Sequence, residues 1–364
     1  MNKTRKVDFC ILGGGLAGVS LAGSLQKKGA SVCVIDSGKI ASGASGTPLG
    51  LVNPATGRFG TKSWNAEECY HSLVESLEEA QNETNTLFFK KSGVLRPALD
   101  AKIASRMREN FQTTDWPSGW CQWLDQKEMH HLNKDIQCVE GGLWLPVGLT
   151  VDVAAYLVSK AALLEKRGVI FKENADYEIQ ESRDRLEIVF GDGNRIQSQK
   201  VIFTAGIDTS NTTFWNFLPL IPVKGQIAVF KSPSPLSFDY AISALGYIAS
   251  LEKNTFVIGS TYEHTFDHRD ADAQGLEYLS EKMAKVYPKL IHSSRLVRQW
   301  AGVRASTPNR MPILGQHPEK ENIFVYAGLG SKGLLYSTYL ANIMSDFLIS
   351  SKKLPDEVSL SRCY

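Results

Sequence analysis

Val7-Asp8-Phe9-Cys10-Ile11-Leu12-Gly13-Gly14-Gly15-Leu16-Ala17-Gly18 begins the stretch around which the chain is organised, and that stretch runs on to Asp36. Its first six residues form an apolar run of the length of a buried strand. Gly13, Gly15 and Gly18 then set out G-x-G-x-x-G. A helical pattern follows through Leu16, Val19, Ser20, Leu21 and Leu25, and Lys27-Lys28-Gly29 stops it. A second strand, Ser31 to Ile35, ends on Asp36, eighteen residues after Gly18. Each part has a mechanical job. Gly13 permits the tight turn, Gly15 lets a pyrophosphate approach the backbone, and Gly18 lets the helix pack on the strand. The helix start offers free N–H groups and a positive dipole end to the phosphates, and Asp36 is placed to accept from ribose hydroxyls. A bare glycine pattern is weak evidence, but strand, glycines, helix, strand and acid in register mark a dinucleotide site.

Outward from that motif, 364 residues exceed a usual single domain, so two domains sharing a cleft are expected. A 43% hydrophobic content allows sizeable cores, and a net charge of +2 is too mild to imply nucleic acid by itself. The six cysteines are scattered without a C-x-x-C pair, which predicts a reduced, cytoplasmic chain. Cys10 and Cys33 read as small apolar packing residues. No secretory signal or membrane span is expected.

The segment from Ser37 to Pro54 is rich in small residues and shows neither period, so it is either a surface loop or a backbone that comes close to a ligand. Its place directly after Asp36 favours the ligand. An amphipathic helix is predicted over Trp64 to Gln81, and short strands over Gly93 to Arg96 and Gly142 to Pro146. Between those strands lies an aromatic, polar segment whose His130 and His131 read as exposed helix residues rather than metal ligands. Asp152 to Gly168 reads as a helix, Val169 to Phe171 as a strand, and Arg185 to Ser198 as a hairpin. Lys200 to Gly206 reads as a further strand running into a small-residue turn. Strands at Pro222 to Phe230, Tyr247 to Leu251 and Thr255 to Gly259 suggest one β wall, followed by a helix over Ala271 to Tyr287. Trp300 to Arg304, a strand at Asn322 to Ala327, the turn Gly328 to Leu334 and a last helix from Tyr336 to Ile349 complete the chain.

These motifs in this order resemble the D-amino-acid-oxidase superfamily of FAD enzymes, which includes glycine oxidase and sarcosine oxidase. The resemblance rests on the N-terminal fingerprint, Lys224-Gly225-Gln226, Gly302-Val303-Arg304 with Pro312-Ile313-Leu314-Gly315, and the glycine-rich turn at 328–333. Within it, Gly43 to Pro54, Gly302 to Thr307 and Gly328 to Leu334 are similar to the oxidoreductase half of the bifunctional tRNA 5-methylaminomethyl-2-thiouridine biosynthesis enzymes. Those enzymes usually carry a fused methyltransferase. None is in this sequence, which leaves room for a separate methyltransferase partner.

The resemblance implies an α/β fold. A discontinuous Rossmann-like FAD-binding domain (1–84, 146–216 and 301–364) would join a mixed or antiparallel β-sheet substrate domain (85–145 and 217–300). It implies FAD contacts at Gly13, Gly15, Gly18 and Asp36, and at Ser42, Ala44, Ser45, Gly50 and Leu51 against the flavin. Thr204, Ala205 and Gly206 would pass near the pyrophosphate and the backbone near Asp176 near adenine. Gly330, Ser331, Lys332, Gly333 and Leu334 would sit at a helix start, where N–H groups stabilise negative charge on the reduced ring.

An arginine at position 304 either closes a structural salt bridge or offers its planar fork to a carboxylate; the resemblance favours the carboxylate. Lys332 aligns with a basic residue that helps hold the same carboxylate. Tyr247 is either a core tyrosine or one whose hydroxyl faces the substrate. No general base stands out and none is required, because alignment in a water-poor cleft carries the chemistry. The sarcosine-oxidase type carries a cysteine near the G-x-R segment that bonds the flavin; residues 300–316 contain no Cys, so the resemblance implies non-covalent FAD.

The expected reaction is oxidation of the C–N bond of a glycine-like secondary amine, with molecular oxygen the expected electron acceptor. The specific expectation is the carboxymethylaminomethyl group of a tRNA wobble uridine; the alternative is a free small amine such as glycine, sarcosine or a D-amino acid. Lys3-Arg5-Lys6, Lys90-Lys91, Arg295-Arg298 and Lys352-Lys353 could meet phosphates, although solvated surface charge explains any single one of them.

Overall fold

Strand Thr4–Leu12 is buried on both faces from Phe9 onward. Phe9 and Ile11 enter one apolar cluster, while Cys10 and Leu12 enter another. That two-sided burial is why the run is continuously apolar rather than alternating. In the computed structural model, which describes residues 4–181 and 186–363, this strand lies at the centre of an eight-stranded sheet. It pairs in parallel with Val32–Ile35 on one side and with Arg195–Phe203 on the other. Ile170–Lys172 extends the sheet beyond Val32–Ile35.

Arg195–Phe203 corrects the expectation of a hairpin strand followed by a separate one, since it is a single strand. Along one edge it pairs with Thr4–Leu12 throughout. Along the other it pairs first with the antiparallel Leu186–Phe190 and then with the parallel Ile323–Ala327. The change of partner is a tertiary event that leaves no gap in the strand itself. Arg185, at the expected start of the hairpin, lies outside the described residues.

Four helices cover one face of this sheet: Leu16–Lys27, Ala66–Thr84, Val153–Lys166 and Gly333–Ser350. Asp152 starts the third by accepting from the Ala155 N–H at 2.9 Å. A second eight-stranded sheet runs in the order Arg295–Ser306, Ile221–Lys231, Thr255–Gly259, Tyr247–Glu252, Ala241–Ser243, Val94–Pro97, Gly141–Leu145, Gln122–Asp125. It is antiparallel except where Ala241–Ser243 meets Val94–Pro97. The helix expected over Ala271 to Tyr287 spans Ala273–Ala284, and a second short helix that the sequence did not suggest, Pro288–Ser293, follows it. Proline at the first position of the second helix accounts for the break.

The aromatic segment between the short strands holds two helices, Ala101–Thr113 and Gln126–Leu132, and His130 and His131 lie exposed on the second. The loop after Asp36 also carries structure, namely a 3₁₀ turn at Ala44–Gly46 and a strand at Gly50–Val52. Among the described residues no helix is long and apolar enough to cross a membrane.

Candidate active site

The glycine turn after the first strand is shaped by what touches it. Gly13 has φ +119°, and a Cβ there would stand 2.6 Å from the Thr204 carbonyl oxygen. A Cβ on Gly18 would stand 1.9 Å from the Gly13 carbonyl oxygen, so helix and strand can meet this closely only through glycine. Thr204 Oγ1 donates to the Leu12 and Gly13 carbonyls at 3.0 and 2.9 Å, which binds the turn at 204–206 to the fingerprint. Gly206, at φ +59°, opens the 3₁₀ segment Gly206–Asn211.

Asp36 sits at the end of the second strand, and each of its oxygens takes a backbone N–H. Oδ2 accepts from Gly14 at 2.6 Å and Oδ1 from Gly38 at 2.7 Å. A carboxylate oxygen has capacity left after one bond, so Asp36 can still accept from a ribose. The Asp36 carbonyl accepts from Ala175 N–H at 3.0 Å, and the Gly38 carbonyl from Asn174 N–H at 2.7 Å. The backbone just before Asp176 is thereby held against the same corner. Asp176 itself is exposed, and its carbonyl accepts from Gly191 N–H at 3.3 Å.

The loop beyond Asp36 folds back over the helix start. Ser45 Oγ accepts from the Leu16 N–H at 3.1 Å, capping the helix from a distant part of the chain. Ser42 lies against Gly38. The Ala44–Gly46 turn packs on strand Arg295–Ser306: a Cβ on Gly302 would meet the Trp300 ring at 2.5 Å and Ala44 Cα at 3.0 Å. Gly50 stands beside Leu334 and Val153, with Leu51 next to it on the strand Gly50–Val52. Gly330, Ser331 and Lys332 form a 3₁₀ turn leading into the last helix, whose first residue, Gly333, touches Leu16. Fingerprint, loop, second-sheet strand and final helix start therefore converge.

Arg304 projects from the second sheet towards this region. Its Nη2 donates to the Thr261 carbonyl at 2.7 Å and to Ser260 Oγ at 3.2 Å. The guanidinium lies 4.4 Å from the Tyr262 ring centroid. Among the described residues no carboxylate pairs with it, so the salt-bridge reading finds no partner here. Gly225 makes room for it, because a Cβ there would stand 1.7 Å from Nη2.

Tyr247 packs beside Gly259 and donates its hydroxyl to the Leu49 carbonyl at 2.7 Å. Burial, reinforced by Tyr262, pushes this phenol well above its ordinary pKa although Arg304 pulls it back. Tyr247 and Arg304 therefore share one environment. Lys332 lies on the turn that packs against strand Arg295–Ser306, and its Nζ is 5.3 Å from the Tyr336 ring centroid. Burial and then Arg310 lower its pKa.

Sequence reasoning missed two features. Tyr262, which stacks on Arg304, gave no signal because its neighbours show no period. The other is the set of groups behind Arg304. Lys224 is 1% exposed and its Nζ donates to Asp272 Oδ2 at 2.6 Å, with Glu263 at 3.6 Å. Gln226 Nε2 donates to Asp272 and to Glu263, each at 3.0 Å, and the Gln226 N–H donates to Thr261 Oγ1 at 2.9 Å. Thr261 Oγ1 also bonds Glu263. The network thus ends on the residue whose carbonyl holds Arg304. Lys224 and Gln226 were legible as part of a motif but not as its support, because their partners lie 35 to 48 positions away.

A dinucleotide cradle joined to a sheet that presents an arginine without a carboxylate partner is the layout of a dinucleotide-dependent enzyme. The chain belongs to the DAO family of FAD-dependent oxidoreductases, whose model matches residues 8–347. These enzymes act on C–N bonds of amines and amino acids. The chain is 26% identical to glycine oxidase of Geobacillus kaustophilus over 360 residues, covering 95% of this chain and 93% of that one. It is 24% identical to the tRNA 5-methylaminomethyl-2-thiouridine biosynthesis bifunctional protein MnmC of Thiobacillus denitrificans, covering 97% of this chain but 58% of that protein's length. The crystal structure of Geobacillus kaustophilus glycine oxidase superposes with a TM-score of 0.84 at 23% identity, covering 96% of each chain.

The residues present fit FAD. The close-packed glycines at 13 and 18 and the helix start at Leu16 suit a pyrophosphate, and Asp36 retains acceptor capacity for a ribose.

Proposed function

We propose that the chain oxidises the C–N bond of a glycine-like secondary amine, a nitrogen carrying a carboxymethyl arm. The observation that carries this reading is Arg304, which is half-buried, held from behind by Thr261 and Ser260, and has no carboxylate of its own among the described residues. A planar fork in that state is complementary to a single small carboxylate. FAD, held by the fingerprint and the 42–51 loop, supplies the two-electron acceptor when bound.

The protein's own residues then have positioning tasks. Arg304 anchors the carboxylate, and the Tyr262 ring fixes the plane of the guanidinium. Tyr247, tied to Leu49, braces the loop over the site. The turn Gly330–Lys332 and the helix start at Gly333 would offer their free N–H groups to the negative charge of the reduced cofactor. With no Cys in 300–316, the cofactor is held non-covalently. The two sheets support a division into an FAD-binding domain (1–84, 146–216, 301–364) and a substrate domain (85–145, 217–300), except that strand Arg295–Ser306 pairs along its whole length with Ile221–Lys231, which carries 301–306 with the substrate sheet.

The leading substrate is the carboxymethylaminomethyl group of a tRNA wobble uridine, leaving the aminomethyl form and glyoxylate. The likeness of Gly43 to Pro54 and Gly328 to Leu334 to the tRNA-modifying enzymes supports it. A second reading, a free glycine-sized amine, is favoured by part of the surface: Lys90, Lys91, Lys352 and Lys353 each pair with a carboxylate, whereas Arg5, Lys6, Arg295 and Arg298 stay exposed.

Anaerobic bleaching of the bound flavin's visible absorbance tests both. Rapid bleaching by the modified tRNA, with glycine, sarcosine and D-alanine inert, is the expected result. Bleaching by a free amino acid alone moves the protein to small-molecule oxidation. Bleaching by neither overturns the carboxymethyl-amine reading.

A further inference from the structure

On the helical face of the first sheet, far in sequence from Arg304, lies a buried lysine that the chemistry above does not use. Lys160 is 7% exposed on helix Val153–Lys166. Its Nζ donates to Ser76 Oγ and, at 3.1 Å, to the Tyr156 hydroxyl. Both hydroxyls are buried and bond one another at 2.8 Å. No carboxylate lies within ion-pair distance of Lys160 among the described residues. Of the two acids that line the neighbouring cavity, Glu79 is already taken by Lys27 at 2.7 Å and Arg167 at 2.6 Å, and Glu75 is exposed to solvent.

A cavity of about 60 Å³ is lined by Lys160 and the polar Ser20, Ser76, Thr338 and Asn342, together with two acids, Glu75 and Glu79, and two further bases, Lys27 and Arg167, which leaves the lining with one positive charge in excess. Ser20 Oγ, on a residue 2% exposed, and Thr338 Oγ1 are both buried without a hydrogen-bond partner. Hydrogen-bond accounting is informative. An ammonium has three donors and no acceptor, and two of the three are spent. Ser76 and Tyr156 hold two hydroxyl protons between them and spend one on their mutual bond. One ammonium proton, one of these two hydroxyl protons and the hydroxyls of Ser20 and Thr338 are left unspent. Water brings as many donors as acceptors and leaves the positive charge uncompensated. An anion brings acceptors alone and compensates it, removing the cost of an unpaired buried charge.

We propose that this cavity binds a small monovalent anion of halide or nitrate size, with Lys160 as its counter-charge. The volume is several times the ~10–15 Å³ that a cavity needs to hold one water, which admits such an ion and is too small for a nucleotide or peptide. Since the lining residues come from all four helices of the layer, the ion would brace them against one another.

Thermal unfolding of the FAD-loaded enzyme tests this, with bromide exchanged for gluconate at constant ionic strength. Tm should rise by about 2 °C for each tenfold increase in bromide above its dissociation constant. Lys160→Met should abolish the response, and Ser20→Ala should shift its midpoint several-fold to higher bromide. Crystals grown in bromide should show an anomalous peak within hydrogen-bond distance of Lys160 Nζ. An equal response in Lys160→Met, no difference between bromide and gluconate, or ordered water in place of the peak would each overturn the proposal. Should Lys160→Met fail to fold, Ser20→Ala and the bromide crystals still decide it.

Discussion

Gly225 and Arg304 occupy one space between them. The cross-strand register sets Arg304 opposite Val223, so its guanidinium lies back over Gly225, where a methyl group would stand 1.7 Å from Nη2. Gly225→Ala should therefore displace the guanidinium while leaving the sheet paired, and should reproduce the kinetics of Arg304→Ala with normal flavin content. Steady-state kinetics beside a flavin spectrum check this. Arg304→Lys keeps the charge but loses the fork. A charge-assisted hydrogen bond is worth about 1.5–3 kcal/mol, so kcat/KM for a carboxymethyl amine should fall by roughly 10- to 150-fold. A variant within twofold of the wild type would remove Arg304 from carboxylate binding. The sequence, read through the family resemblance, favoured Arg304 for the carboxylate and left Tyr247 between a core and a substrate-facing role. It could not show that Tyr262 stacks on the one and Leu49 holds the other, because both contacts join separate segments of chain.

At the scale of the element, strand Ile221–Lys231 carries two jobs on its two faces. Gly225 lies beneath Arg304, whereas Lys224 and Gln226 point to the opposite side and meet Asp272 and Glu263. Asp272 also caps helix Ala273–Ala284 by accepting from Gly275 N–H at 2.8 Å. Lys224 first, then the Gly275 N–H and Gln226, hold the Asp272 carboxyl well below the usual carboxylate range. Removing it would leave Lys224 buried with only Glu263 at 3.6 Å. Asp272→Ala should cost about 3–5 kcal/mol, read by denaturant unfolding. A depressed folded pKa gives stability that is complete above the unfolded carboxylate value near ~4. Stability should therefore fall as pH drops from there towards Asp272's own lower value, and the Asp272→Ala variant should lose this share of the acid sensitivity.

For the whole molecule, the question is whether a polyanion docks. The described members of the four basic clusters divide clearly. Lys90, Lys91, Lys352 and Lys353 are paired, Arg5 and Lys6 are exposed, and Arg295 and Arg298 are exposed beside Leu296 and Val297; Lys3 lies outside the described residues. If tRNA is the substrate, log kcat/KM should fall linearly with log salt, and Arg298→Ala should flatten that slope by about 0.7. A salt-independent rate would identify a free amine.

The sequence by itself determined the dinucleotide fingerprint, the alternation of strands and helices and the positions of Arg304 and the closing glycine turn. Each of these is written in local spacing, where a period or a glycine has a direct steric meaning. It misdivided Arg195–Phe203 because that strand changes partner along one edge, and it passed over the strand Gly50–Val52, which forms only by pairing with Leu149–Val151. Tertiary structure alone decided that Ser45 caps a helix 29 positions away, that Lys224, Gln226 and Asp272 stand behind Arg304, and that Lys160 is buried without an acid. The physical reason is common to all three. Hydrogen bonds and charge pairing act at a few ångströms in space, and a linear sequence does not record which distant residues the packed sheets and helices bring within that reach.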